Sequence, residues 1–148
     1  MPTIQQFMTE DHRRCDDIFV EIERDIQAKH WTQAQLAFAR FRHSLLQHFE
    51  AEETLLFPAF EARTGMTQGP TQVMRHEHAE MRELLQAAND ALTAQDSQRY
   101  SGEAETLLIM MQQHNVKEEH VLYPLCDQRL HGEAEALVTR LQACINPS

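Results

Sequence analysis

Residues His48 to Pro58 read HFEAEETLLFP, and residues His114 to Pro124 read HNVKEEHVLYP. Both fit H-x-x-x-E-E-x-x-L-(F/Y)-P, and the two copies lie 66 residues apart. The same offset carries the pair Asp11-His12 onto Glu77-His78. On a helix, residues four apart share a face, so His48 stacks over Glu52 and His114 over Glu118. The chain therefore reads as two copies of one helical hairpin. Each copy supplies a histidine from its first helix and a histidine and a glutamate from its second. Four imidazoles and two carboxylates are a donor set for two metal ions.

Working outward, apolar residues recur at helical spacing through nearly all of the chain. The first helix runs from about Thr3 to Lys29, with Ile4, Met8, Cys15, Phe19 and Ile22 on one stripe. A turn falls near His30 and Trp31, and Thr32 with Gln35 forms a capping box for the second helix, which extends to about Arg63. Pro58 should kink it, because proline removes a backbone hydrogen bond and crowds the preceding turn. TGMTQGP, residues 64–70, is the clearest loop, and Pro70 opens the third helix. A turn at Asp96 and Ser97 precedes the fourth helix, where Pro124 repeats the kink. After Gly132 a short fifth helix carries Leu137, Val138, Leu141, Cys144 and Ile145 on one stripe, to lie on the bundle or to meet a partner chain. The fold class expected is all-α: an antiparallel up-down-up-down four-helix bundle with a short fifth C-terminal helix. It forms a single domain over 1–148 with an internal repeat at about 4–66 and 70–128.

The histidines fit that topology. In an antiparallel pair, residues at one level are equidistant from the turn between them. The midpoints of His12 and His48, of His48 and His78, and of His78 and His114 are residues 30, 63 and 96, each in or beside an expected turn. All four imidazoles can then sit at one height.

Composition narrows the function. The net charge of −10 argues against nucleic acid and anionic membrane as partners, both of which need basic patches. The three cysteines, Cys15, Cys126 and Cys144, form no C-x-x-C pair or disulfide framework. Neither a signal-peptide core nor a membrane-length apolar run is present, so a reducing, cytoplasmic setting is expected.

Mixed nitrogen and oxygen donors without thiolate suit iron or manganese. Counting bridging carboxylates and an oxo or hydroxo bridge, two six-coordinate ions keep roughly one open position each. Oxygen, peroxide or nitric oxide would bind there. Glu53 and Glu119 read as solvent-facing or as neighbours of the ligands. Glu119 is the alternative to Glu118, although four residues return closer to one face than five. His76 lies about 200° round the helix from His78 and reads as surface, as do His30, His43, His120 and His131, with His43 alternatively beside the ligands. Phe49, Phe57, Met81, Met111 and Tyr123 read as packing around the site, with a hydrogen bond from Tyr123 to a bound ligand as the functional version. Cys15 reads as a buried free thiol.

At these residues the chain resembles the hemerythrin-like (HHE cation-binding) family, over about Thr3 to Asp127. The resemblance rests on His12 after an acidic residue, His48-x-x-x-Glu52, Glu77-His78 and His114-x-x-x-Glu118. It implies a four-helix bundle holding a non-haem di-iron centre. The ligands would be His12, His48, Glu52, His78, His114 and Glu118, with two oxo- or hydroxo-bridged irons per chain. The chain departs from the oxygen-carrying members at Met74, where they have a further histidine four residues before His78. The function expected is binding of a diatomic ligand, oxygen or nitric oxide, for sensing, storage or stress response. The alternative is iron handling or enzymatic work, such as iron–sulfur cluster repair or peroxide or nitric oxide reduction. A redox or iron–sulfur protein partner would accompany either role.

Overall fold

The computed structural model describes residues 1–146. Every regular element among them is helical. In chain order they are α1 (Ile4–Gln27), α2 (Trp31–Ala51), a π turn (Glu52–Leu56), α3 (Phe57–Thr64), α4 (Pro70–Thr93), α5 (Ser97–Lys117), a second π turn (Glu118–Leu122), α6 (Tyr123–Arg129) and α7 (Ala134–Ile145). Shifting α1, α2 and the first π turn by 66 residues reproduces the bounds of α4, α5 and the second π turn. The correspondence reaches the turns. Lys29 and Gln95 close α1 and α4 with φ of 59° and 54°, a left-handed conformation that costs a non-glycine residue about 1–2 kcal/mol. The backbone repays this by satisfying helix-end carbonyls: His30 N–H donates to Asp25 and Asp96 N–H donates to Ala91.

One expectation is corrected, and the breaks at the prolines take a specific form. The capping box is not at Thr32 and Gln35. α2 starts at Trp31 with His30 as its N-cap and no side-chain bond there. The left-handed Lys29 turns the chain so early that Thr32 is already inside the helix. The reciprocal box is at Thr3 and Gln6 on α1, each side chain 3.0 Å from the other's backbone N–H. At the prolines the helix breaks as a π turn. Pro58 and Pro124 are each preceded by a π turn, in which Phe57 N–H reaches back to Glu52 and Tyr123 N–H to Glu118. Widening the helix there places each proline in the first turn of the next helix, where its missing N–H costs little.

Neighbouring helices meet in ordered pairs. Between α1 and α2, Asp11 meets His48, Phe19 meets Phe41 and Glu21 meets Arg40. As one number rises the other falls. The same holds between α2 and α4, where Arg42 meets Gln86 and Phe49 meets His78. The N-terminus of α1 is held on α6 by the Asp127 carboxylate, which accepts from Ile4 N–H at 2.9 Å and Gln5 N–H at 3.1 Å. α7 lies on α1, α2 and the first π turn, burying Leu137, Val138, Leu141 and Ile145.

Two apolar clusters form. One contains Phe19, Phe38, Phe41, Leu85 and Leu107; the other contains Met8, Leu56, Phe60, Leu122 and Leu141. On α1 the clusters end at Met8 and Cys15, with His12 between; on α4 they end at Met74 and Met81, with His78 between. The polar layer is thus closed above and below by hydrocarbon.

Candidate metal centre

His12, His48, Glu52, His78, His114 and Glu118 are all buried, none more than 4% exposed. Their donor atoms fall into two groups. Glu52, His78, His114 and Glu118 form one; His12, His48 and Glu118 form the other; within each, the atoms lie within 4.8 Å of one another. Glu118 belongs to both.

Each imidazole is oriented by a carboxylate on its outer side. His48 Nδ1 donates to Asp11 at 2.7 Å and His114 Nδ1 to Glu77 at 2.8 Å. His78 Nδ1 donates to Glu53 and His12 Nδ1 to Glu119, both at 2.7 Å. The pairs are equivalent under the 66-residue offset, so both the Asp/Glu-His dipeptides and the Glu-Glu doublets of the repeat have a place. An ionised carboxylate can only accept, so each Nδ1 carries a proton and each Nε2 faces the cluster. Glu53 is further held by a two-pronged bond from Arg82, at 2.8 and 2.9 Å. Burial works against its charge, but His78 and Arg82 outweigh that and lower its pKa to about 2.

The inner carboxylates and Tyr123 complete the cage. Tyr123 Oη donates toward Glu52 Oε2 at 2.7 Å and lies 2.9 Å from Glu118 Oε1. It is also 3.1 Å from His48 Nε2 and 3.2 Å from His12 Nε2. Burial, then the charges of Glu118 and Glu52, push the phenol pKa well above its ordinary value. Phe49 stacks on His78 at 4.0 Å, and Phe57 flanks the same ring at 5.8 Å.

Burial also opposes charge on the imidazoles, yet the carboxylates prevail. For His48 the Glu52 charge and the Asp11 bond raise the pKa well above normal. For His114 the Glu118 charge and bond raise it to about 9. His12 is raised against both burial and the repulsion of His48, through its bonds to Glu118 and Glu119. His78 is raised by Glu52 and Glu53. Glu118, although buried, is held well below the carboxylate range by His114 and His12. Without a cation, the surrounding carboxylates draw every imidazole of the layer toward its charged form.

That network leaves atoms over. Glu52 Oε1, His78 Nε2, His114 Nε2 and Glu118 Oε2 are buried with no hydrogen-bond partner. His78 Nε2 is 3.1 Å from Glu52 and His114 Nε2 3.2 Å from Glu118, so they attract as charges. Their angles do not suit hydrogen bonds, which is why the atoms remain unsatisfied. Four such atoms in one layer are far from the usual satisfaction of buried polar groups. They are the four members of one donor group, and a cation would satisfy all of them.

The structure brings all six expected residues together. Glu119, the alternative to Glu118, instead faces the outer side of His12. His30, His43, His76, His120 and His131 are exposed, and His76 pairs with Glu80 at 2.9 Å on the surface. Asp11, Glu53, Glu77 and Glu119 had no assigned partner in the sequence reading. Their signal was the recurrence of the acidic doublets and dipeptides at one offset. Cys15 and Cys126 are buried free thiols and join neither donor group.

A helical bundle with a buried cluster of convergent histidines and glutamates is the make-up of a cation-binding bundle. The family model for the hemerythrin HHE cation binding domain matches residues 3–126, and the chain belongs to that family. No curated protein and no solved structure matches it. Among the described residues, no helix is long and apolar enough to cross a membrane.

Proposed function

We propose that the protein is an antiparallel four-helix, non-haem di-iron protein that binds oxygen or nitric oxide in sensing, storage or a stress response. The helix pairings support the up-down-up-down order. In this reading His78, His114 and Glu52 hold one iron, His12 and His48 hold the other, and Glu118 bridges them. The observation that carries it is the membership of Glu118 in both donor groups. Nitrogen and carboxylate donors without thiolate favour iron or manganese, and the site's donors do not fill two octahedra. When bound, an iron pair supplies redox-active positions at which a diatomic ligand can coordinate.

The chain's own part is orientation and shielding. The carboxylates behind each Nδ1 present every Nε2 inward, so little reorganisation is needed to ligate. Phe49 and Phe57 keep water from His78. A redox or iron–sulfur protein partner and a reducing compartment belong to the same proposal. Iron transfer to a partner is the second reading. It is favoured by the partial exposure of Glu53 (21%) and Glu119 (24%), which puts each iron one imidazole and one carboxylate from solvent.

Metal analysis with an optical spectrum of the aerobic protein tests the centre. His114→Ala and Glu52→Ala should each drop iron content well below two per chain; full loading in both would refute the ligand assignment. A reversible spectral change on adding and removing oxygen or nitric oxide supports ligand binding, whereas loss of iron to an apo-cluster protein supports transfer. Glu53→Ala removes only the outer partner of His78. It should weaken metal binding about 10–100-fold without abolishing it, read by competition with a chelator. Unchanged affinity would show that Glu53 does not tune the imidazole.

A further inference from the structure

The duplicated hairpins match at every His and Glu of the cage, and among the buried positions where they differ one places a hydroxyl in the cage itself. Phe57 in the first copy becomes Tyr123 in the second. Both are fully buried. The ring of Phe57 lies against His78, beside the group that already has four donors. Tyr123 Oη lies between the groups: its shortest contact is Glu52 Oε2 of the first, at 2.7 Å, and it also reaches all three members of the second, His12, His48 and Glu118.

The distances there suit more than a hydrogen bond. Oη is 2.9 Å from Glu118 Oε1, 3.1 Å from His48 Nε2 and 3.2 Å from His12 Nε2, and His12 Nε2 is 3.1 Å from Glu118 Oε1. A phenol has one proton to donate, and two carboxylates, Glu52 at 2.7 Å and Glu118 at 2.9 Å, face it. Donors held about 2.1 Å from a common ion lie about 3 Å from one another when they are adjacent ligands in an octahedron. The three contacts of Oη and the His12–Glu118 contact have that separation, and the phenol oxygen supplies the fourth donor that the group otherwise lacks.

We propose that Tyr123 Oη is a ligand of the ion held by His12 and His48, so that the two ions of the pair are chemically inequivalent. This rests on the iron centre proposed above. On loading, the phenol O–H bond breaks, an oxygen–metal bond forms and the proton leaves to solvent. With ferrous iron added in air, dioxygen accepts the electrons that make the ions ferric. The first ion keeps only imidazole and carboxylate from the protein.

The test uses the full chain loaded with iron in air. Wild type should show a visible phenolate-to-ferric charge-transfer band, with tyrosinate ring modes in resonance Raman spectra excited in that band. Growth on ring-deuterated tyrosine should shift those modes. Tyr123→Phe puts the first copy's residue in the second; it should lose band and modes while retaining helical circular dichroism and at least the ion of the His78, His114, Glu52 and Glu118 group. Wild-type protein with two irons and no tyrosinate modes would overturn the inference and leave the iron centre standing. Modes that persist in Tyr123→Phe would overturn it too. Failure to take up iron at all would instead sink the proposed centre. Should Tyr123→Phe not fold, the isotope shift in wild type decides alone.

Discussion

In the proposed two-ion centre, Glu118→Ala should empty both cation positions at once, taking metal content to less than one ion per chain. No other single substitution is expected to do this, because Glu118 alone belongs to both donor groups. Its Oε1 lies 3.1 Å from His12 Nε2 of one group and 3.2 Å from His114 Nε2 of the other. His12→Ala, by contrast, leaves Glu52, His78, His114 and Glu118 intact and should retain about one ion. The same substitution weakens the metal-free protein. His12 and His114 would each lose a fully buried counter-charge, and breaking one side of a buried ion pair costs roughly 3–5 kcal/mol. Elemental analysis of Glu118→Ala and His12→Ala, with thermal melts in chelator, checks both halves. Two ions retained in Glu118→Ala would mean that the groups do not share this carboxylate.

The layer was legible in the sequence for a specific reason. Helical spacing relates His48 to Glu52 and His114 to Glu118 within one helix, and the repeat offset with turn positions relates the helices to one another. Both relations survive without coordinates. The outer carboxylates were not legible in that way. Nothing within α1 says that Asp11 serves His48 on α2 while the adjacent His12 is served by Glu119 across the bundle. That division depends on how far each helix is rotated, and the π turns set part of that rotation. Proline marks where an N–H is missing, but not that the helix answers with a π turn. Capping shows the same limit. Thr3-x-x-Gln6 and Thr32-x-x-Gln35 are the same pattern, and only the left-handed Lys29 decides that the second lies inside its helix. Helical class and the apolar stripes needed no such information, since they follow from periodicity alone.

Metal-free and metal-loaded protein should respond to pH in opposite directions between about pH 6.5 and 9. In the metal-free fold His114 has its pKa raised from 6.5 to about 9, and His12, His48 and His78 are raised as well. A group whose pKa is raised on folding stabilises fully below its unfolded value and loses that contribution as pH climbs through the folded one. For His114 the amount is on the order of 3 kcal/mol, shared with Glu118 rather than additional to it. The carboxylates bound the window from below. Glu53, at about 2, and Glu118, well below 4.5, stabilise above pH 4.5 and lose that contribution as pH falls through their folded values. The metal-free melting temperature should therefore peak between about pH 4.5 and 6.5 and fall toward pH 9. With metal present the imidazoles must give up their Nε2 protons to ligate, so protons compete with the cation. At fixed free metal, binding and the stability linked to it should rise over the same interval. Melting temperatures from pH 5 to 9, with metal and with chelator, make the comparison. Parallel curves would mean that the buried imidazoles do not carry the charges this network requires, or do not exchange them for a metal.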